Sequence, residues 1–192
     1  TEIETRNPAI AVDDSGRVHV VYQSYFGGPL YYRCSTDNGV TWEEERIISH
    51  ESVNHHAVNP AVITDGNWVY APFSSSVDPY DDIYCSYSPD GGGWFRAWSF
   101  PIIDTDAKDY SPSICVDENG IILIVWYTDD NEICYIYSID HADTWEDTLK
   151  LVGGGTAECP CMTCGNNGWL YLVWHDFRNN GIREIYYKSS ED

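Results

Sequence analysis

The sequence predicts an all-β fold, a β-propeller of four-stranded antiparallel blades with about four blades in the chain of 192 residues. The first observation is a turn motif that recurs roughly every 50 residues, which is near the length of a propeller blade. The second is an x-Pro pair that keeps the same spacing, at Pro8, Pro60, Pro112 and Pro160. The third is the alternation of apolar and polar residues between these landmarks, which is typical of strands.

The turn motif is complete in the first repeat, where Ser35, Asp37 and Gly39 are followed by Thr41 and Trp42. An Asp side chain accepts backbone N–H bonds two residues further on, and Gly adopts the positive φ that a Cβ penalises. The residues therefore favour a tight hairpin, and we expect the Trp42 ring to fill a gap between layers.

Three further copies of the turn motif follow, and each departs from the first. The second has its Trp one position early, the third has Ala142 in place of Gly, and the fourth starts at Ser189 and meets the end of the chain. The predicted structural residues of the second and third copies are Ser88, Asp90, Trp94, Ser138, Asp140 and Trp145.

Each repeat is predicted to contain four strands joined by short loops, with Asp-Gly or Asn-Gly turns favouring a hairpin between the first two. In chain order the predicted strands are 9–12, 18–22, 31–34 and 45–48; 61–64, 68–73, 83–87 and 97–103; 113–116, 121–127, 133–137 and 148–152; 161–164, 169–174 and 184–188. The repeats span residues 7–49, 59–104, 111–152 and 159–192 of a single domain.

The last repeat lacks a fourth strand, while residues 2–5 precede the first repeat. We expect residues 1–5 to close the last blade, which would leave no open sheet edge. The alternative is that the chain is part of a longer ring, for example one assembled from two chains.

The formal charge is −21, with 31 acidic residues against 10 Lys and Arg. Because phosphate binding depends on Lys and Arg, this charge disfavours nucleic acid and anionic membranes as partners. No apolar run reaches the roughly 18 residues of a membrane-spanning helix, so membrane insertion is not expected. An acidic surface keeps a protein soluble or holds divalent cations, so no cofactor is predicted but calcium stays open.

The seven cysteines cannot all pair, and they leave the redox compartment open. Cys115 and Cys161 align with small residues in the first strands of other repeats, so we expect buried packing residues rather than metal ligands. Cys34, Cys85 and Cys134 fall in third strands, where neighbouring blades could bring thiols together. A His-rich loop with His50, His55 and His56 beside Glu51 is better explained as a solvated surface than as a metal site.

The turn motif resembles the Asp-box of sialidase-like BNR repeats, Ser-x-Asp-x-Gly-x-Thr-Trp. The resemblance implies a propeller with structural Asp-boxes on one face and a ligand site on the other. Arg6-Asn7-Pro8 resembles the family's Arg-Ile-Pro motif, whose Arg binds a carboxylate, although Asn replaces Ile. The residues from Trp174 to Arg178 resemble Trp-x-Asp-x-Arg, in which Asp and Arg brace a loop or Arg faces a ligand. The candidate ligand-binding residues are Arg6, Tyr25, Tyr80, His175, Asp176 and Arg178.

A sialidase needs three arginines, an acid/base carboxylate, and a Tyr nucleophile assisted by Glu. The residues that would fill the last three roles are Asp109, Tyr110 and Glu158, because the latter two precede the first strands of adjacent repeats. A third arginine has no candidate, so the resemblance supports the architecture more strongly than catalysis.

We therefore expect a non-catalytic recognition module, extracellular or on the cell surface, that binds a glycan or a protein partner on an aromatic and acidic face. One alternative is an exo-acting glycoside hydrolase of sialidase type. Another is a structural module that completes a larger ring as a homo-oligomer. Since the negative charge repels anions, we expect a neutral glycan, or a cation bridged by Asp129, Asp130 and Asp176, ahead of sialic acid.

Overall fold

The computed structural model describes residues 4–24, 28–50, 57–77, 80–98, 101–103, 107–154, 156–165 and 168–191. These residues form strands, turns and bends, which confirms the all-β prediction. Within them the strands form four antiparallel sheets, as expected for propeller blades. The chain divides into two compact units, Thr1–Asp104 and Thr105–Asp192, and the single continuous array stays a prediction.

The first unit contains two sheets. The first sheet has the order β1-β2-β3-β4, with β1 (Thr5–Val12), β2 (Val18–Ser24), β3 (Leu30–Ser35) and β4 (Arg46–Ile47). The second sheet has the order β5-β7-β8-β9 with β6 paired to β7; its strands are β5 (Ala57–Val58), β6 (Ile63–Asp65), β7 (Trp68–Val77), β8 (Tyr80–Ser88) and β9 (Arg96–Ala97).

The second unit also contains two sheets. The third sheet has the order β10-β11-β12-β13, with β10 (Asp109–Val116), β11 (Ile122–Thr128), β12 (Ile133–Ser138) and β13 (Leu149–Val152). The fourth sheet has the order β14-β15-β16, with β14 (Ala157–Cys164), β15 (Trp169–Asn179) and β16 (Ile182–Glu191). No described residue adds a fourth strand to this last sheet. Thr5 pairs with Ser24 in the first sheet rather than with β16, and residues 1–3 lie outside the described residues, so their closure of the last sheet stays a prediction.

The first strand of each sheet is interrupted where the x-Pro pair lies. Asn7, Asn59, Ser111 and Cys159 all have φ between 50° and 51°, and each precedes a proline that cannot donate a ladder hydrogen bond. The register shifts there in β1, β10 and β14, and the second sheet divides into β5 and β6 at the same place. The interruption is a β-bulge, which bends the strand and redirects the residue before it.

The Ser-x-Asp turns are held by side chains that replace backbone ladder bonds. The Ser35 hydroxyl donates to Asp37 at 2.8 Å and accepts from the Gly39 N–H at 2.8 Å. Asp37 also accepts from the hydroxyl and the N–H of Thr41, and these bonds lower the pKa of Asp37 to about 2. The third turn repeats this pattern, with Ala142 at φ 69° in the Gly position.

The fourth copy of this turn begins one residue later than predicted. Ser35, Ser88 and Ser138 pair with Val18, Val69 and Ile122, at equivalent positions of the second strands. The equivalent position of β15 is Leu170, and it pairs with Ser190 rather than Ser189. The two positions are hard to distinguish from the sequence because both are serines.

The expectation that Trp42 fills a gap in the core is wrong. Its side chain is 36% exposed, and Trp94 of the second turn is 56% exposed. The Trp42 ring lies over Gly39 and lines an open cleft with Val20 and Arg33 on the outer face of the first sheet. Trp42→Ala should therefore not leave a large cavity, because no described layer covers the ring.

The core of the first unit lies between its two sheets. Val21 and Tyr32 of the first sheet and Ala71 and Phe73 of the second belong to one buried cluster. Its polar part is the Tyr32 hydroxyl, 2.8 Å from Nδ1 of the buried His19. Burial lowers the pKa of His19, so the imidazole is neutral at pH 7.

The second Ser-x-Asp turn lies directly against this core. Asp13 accepts from Nε of Arg17 at 2.5 Å, and Arg17 Nη2 reaches Asn67 of the second sheet at 3.0 Å. A Cβ on Gly91 would lie 2.0 Å from the Arg17 guanidinium, and one on Gly92 would lie 1.8 Å from the Tyr32 hydroxyl. Gly91 and Gly92 of the second turn therefore make room for side chains of the first sheet.

The second unit contains a disulfide that the sequence analysis did not predict. Cys115 of β10 and Cys164 of β14 are bonded, so Cys115 is not a simple packing residue. Cys161 is exposed rather than buried, because it faces away from the third sheet on β14. Cys34, Cys85 and Cys134 are buried free thiols. No helix in the described parts of the chain is long and apolar enough to cross a membrane.

We predict that Gly92→Ala lowers the free energy of unfolding by about 2–4 kcal/mol, from overpacking against Tyr32 and a positive φ. Gly16→Ala is the matched control, because Gly16 has φ +83° against +91° for Gly92 but no atom within 4 Å of its Cβ position. The control should lose only about 1 kcal/mol. Urea unfolding measures both, and equal losses would contradict the steric argument.

Candidate functional site

A group of aromatic and charged side chains lies where the third and fourth sheets begin. Tyr110, the residue before the β10 bulge, pairs with Tyr127 at the end of β11. Their ring centroids are 5.4 Å apart at an interplanar angle of 37°. Both tyrosines are half-buried, so part of the pair remains open to solvent.

Glu158 occupies the equivalent place in the fourth sheet and pairs with His175 of β15. Its Oε2 lies 3.4 Å from Nη2 of Arg183 on β16. The Arg183 guanidinium also lies 4.8 Å from the centre of the Phe177 ring. The fourth sheet thus presents a carboxylate, an imidazole and a guanidinium at one end.

Strand β14, which carries Glu158, packs against β10 and β11, which carry the tyrosine pair. Burial raises the pKa of Tyr127, and Cys159 and Glu158 raise it further. Tyr127 is therefore protonated at pH 7 and can donate a hydrogen bond. We call Tyr110, Tyr127, Glu158, His175 and Arg183 the tyrosine–glutamate cluster.

Asp109 precedes Tyr110 but has a different role in the structure. It is buried, and its Oδ1 accepts from the Trp126 indole N–H at 2.7 Å. The hydrogen bond satisfies an indole that would otherwise be buried without a partner. This geometry gives no support to Asp109 as a solvent-accessible general acid.

Asp176 serves Trp174 in the same way and braces the loop after it. Its carboxylate accepts from the Trp174 indole at 2.9 Å, from the Thr156 hydroxyl at 2.8 Å and from the Arg178 N–H at 2.9 Å. The Arg178 guanidinium completes an ion pair with it and lies 4.9 Å from the Tyr186 ring. The hydrogen bonds from Arg178, followed by those of Trp174 and Thr156, hold the pKa of Asp176 well below its usual range.

The remaining candidates belong to the first unit. Arg6 belongs to the first unit and lines a shallow cleft with Thr5, Pro8, Tyr22 and Glu45 of its own sheet. Tyr25 lies outside the described residues, as does the side chain of Tyr80.

The hypothesis of a cation bridged by Asp129, Asp130 and Asp176 is not supported. Within the described ranges, no three His, Cys, Asp or Glu side chains are grouped as metal ligands would be. Asp129 Oδ1 accepts from the Lys108 N–H at 3.2 Å, and Asp176 is occupied by its own loop. Of the His-rich loop, His50 is described, whereas residues 51–56 are not.

Tyr127 and Arg183 were missed by the sequence analysis. Tyr110 and Glu158 were found because both precede an x-Pro pair. Tyr127 reaches the same place across the ladder, opposite Tyr110, and Arg183 reaches it from the third strand of its sheet. In each repeat, antiparallel pairing places the start of the first strand opposite the end of the second strand. This pattern was available in the sequence and could have identified Tyr127 as the partner of Tyr110.

Neither a protein-family model nor a curated protein matches the chain. Solved structures do resemble it. A protein of unknown function from Dyadobacter fermentans aligns with a TM-score of 0.77 at 13% identity over 97% of this chain and 61% of that one. A Hadza microbial sialidase aligns at 0.68 and 18% identity, over 98% of this chain and 44% of that one. A Bacteroides thetaiotaomicron endo-arabinase aligns at 0.68 and 17% identity, over 97% and 75%.

These similarities show the fold alone. The neighbours are β-propellers of the sialidase and family-43 glycoside hydrolase types, so the sialidase-like propeller prediction is confirmed as to fold. The chain spans less than two thirds of the first of these structures and under half of the sialidase.

We predict that Asp176→Asn lowers the free energy of unfolding at pH 7 by about 2–4 kcal/mol, because it removes the charge that holds Arg178 and satisfies Trp174. The pKa of Asp176 lies below its ordinary value of 3.8, so the wild type loses this stability as the pH falls below that value, and the variant has none of it to lose. Urea unfolding between pH 7 and pH 3 measures the difference. Asp130→Asn, at an exposed position of the same unit, should change little.

Proposed function

We propose that the chain is a carbohydrate-recognition module and that the tyrosine–glutamate cluster is its binding site. The observation that carries the proposal is the half-exposed Tyr110–Tyr127 pair beside the Glu158–Arg183 ion pair. The apolar face of a sugar ring stacks on aromatic rings, while carboxylate and guanidinium groups bind its hydroxyls. Arabinanases and a sialidase among the similar structures are in keeping with a carbohydrate ligand.

A neutral oligosaccharide fits the cluster better than an anionic sugar. The one guanidinium of the cluster is already paired with Glu158, and the field of a chain with net charge −21 repels anions. Arg178 is paired with Asp176. The proposed ligand is therefore a neutral glycan, and an extracellular or cell-surface location suits both it and the Cys115–Cys164 disulfide.

A glycoside hydrolase is the second candidate, favoured by the enzymes among the similar structures. Hydrolysis ordinarily needs two carboxylates that flank the scissile bond. In the described part of the second unit, Asp109 and Asp176 each bind a tryptophan indole, and Glu158 is paired with Arg183. These engagements support binding over catalysis.

We predict that a neutral arabino-oligosaccharide binds the wild type, and that Tyr110→Ala weakens binding about tenfold, equivalent to about 1.4 kcal/mol of lost stacking. Isothermal titration of this sugar, sialyllactose and calcium chloride against wild type, Tyr110→Ala and Arg6→Ala measures the ranking. Tyr137→Ala is the control. Tyr137 lies at the opposite end of β12 from Ile133, the residue that pairs with Tyr127, so its removal should leave the affinity unchanged. Tight sialyllactose binding that is lost in Arg6→Ala would instead restore the sialidase interpretation.

Turnover separates the two candidate functions. Fluorogenic arabinoside and sialoside substrates should stay intact with the wild type. Turnover that Glu158→Gln abolishes, with sugar binding retained, would contradict the non-catalytic proposal and favour the hydrolase.

A further inference from the structure

The outer face of the fourth sheet is apolar, and no described residue covers it. Val173 and Tyr187 are directly opposed on β15 and β16, and Tyr171 and Ile185 lie beside them on the same face. All four are exposed, and Tyr187 is 81% exposed. None carries a formal charge, in a chain with net charge −21. We call these four residues the β15–β16 face.

The same positions are buried where a following sheet is present. In the first sheet Val21 opposes Tyr32, as Val173 opposes Tyr187 in the fourth. Val21 and Tyr32 are each 0% exposed, because they pack in the cluster that includes Ala71 and Phe73 of the second sheet. The β15–β16 face therefore has the composition of a surface that packs against another sheet, but no described sheet packs on it.

The first sheet carries the opposite half of such a contact, which is likewise left exposed among the residues that the structure describes. Ile10 and Val12 are exposed, and Val20 and Tyr22, which lie on the same face, are half-buried. The equivalents of Val20 and Tyr22 in later sheets are buried: Ala71 and Phe73 in the second sheet, Leu172 and Trp174 in the fourth. We call Ile10, Val12, Val20 and Tyr22 the β1–β2 face.

We propose that the β15–β16 face of one chain packs on the β1–β2 face of a second copy of this chain. Within each unit the chain already joins these two kinds of face, so the contact needs no chemistry that the sheets do not already use. The contact is head-to-tail, and it closes into a ring or continues according to the rotation between copies. The outer edge of β16, which no described strand pairs, lies next to this face and accepts a strand from the same partner.

Charge and burial act in opposite directions in this contact. The net charge of −21 on each copy opposes association at long range. Burial of the two uncharged faces favours it. Because salt screens the repulsion and leaves apolar burial in place, association should strengthen as salt is raised.

Sedimentation velocity over a range of protein and salt concentrations tests the proposal. The wild type should exceed the monomer mass of 21.8 kDa, increasingly so at high salt. Tyr187→Glu and Ile10→Glu should each raise the dissociation constant more than about tenfold, because each places a charge in an apolar contact. Ile139→Glu is the control at an exposed turn position outside both faces and should associate like wild type.

Mixing the two variants gives the sharper result. Tyr187→Glu retains its β1–β2 face and Ile10→Glu retains its β15–β16 face, so a one-to-one mixture should associate although neither variant does alone. Circular dichroism verifies that each variant is folded. A folded wild type that stays monomeric under every condition would overturn the proposal, as would association that survives both substitutions or a mixture that remains monomeric.

Discussion

The sheets of this protein carry apolar side chains on both faces, so each needs a neighbour on each side. In the first unit this need places Tyr32 of the first sheet against the second sheet and leaves its hydroxyl in the core. His19, Asp13 and Arg17 then supply a hydrogen-bonded path from that hydroxyl to the surface. One aromatic residue thus determines the polar interior, and it also explains the glycines of the adjacent turn.

The bulge at each x-Pro pair has the same organising effect on the candidate site. A residue with positive φ, followed by proline, interrupts the ladder of backbone hydrogen bonds for two residues. The residue that precedes these two therefore lies at the end of the sheet. Tyr110 and Glu158 occupy this position in consecutive sheets, so the backbone brings together residues that are 48 positions apart in the chain. The site follows from a repeated backbone feature on which different side chains are placed. In the first unit the same feature serves packing, because the buried Gln23 accepts from both Asn7 and Asn59.

Periodicity in the sequence correctly predicted the strands and turns that depend on local chemistry. The strand predicted at 121–127 is β11 (Ile122–Thr128), and the hydrogen bonds of the Ser35–Thr41 turn follow from its residue types. The incorrect predictions concern residues whose surroundings depend on which sheet packs next to their own. Trp42 has the residue type of a core position but no covering layer, and Cys115 has the size of a packing residue but a thiol partner 49 residues away. Tyr127 escaped notice for a similar reason, since its role arises across the ladder from Tyr110.

The Cys115–Cys164 bond makes the two units differ in their response to reductant. It closes a loop of 49 residues within the second unit, and restricting the unfolded chain in this way is worth about 4 kcal/mol in the chain-entropy model. In the first unit both cysteines are free thiols buried in their sheets. Reduction therefore withdraws support from the unit that carries the tyrosine–glutamate cluster and spares the other. In a reducing compartment the free energy of unfolding of the second unit would fall by about this amount, while that of the first unit would not change.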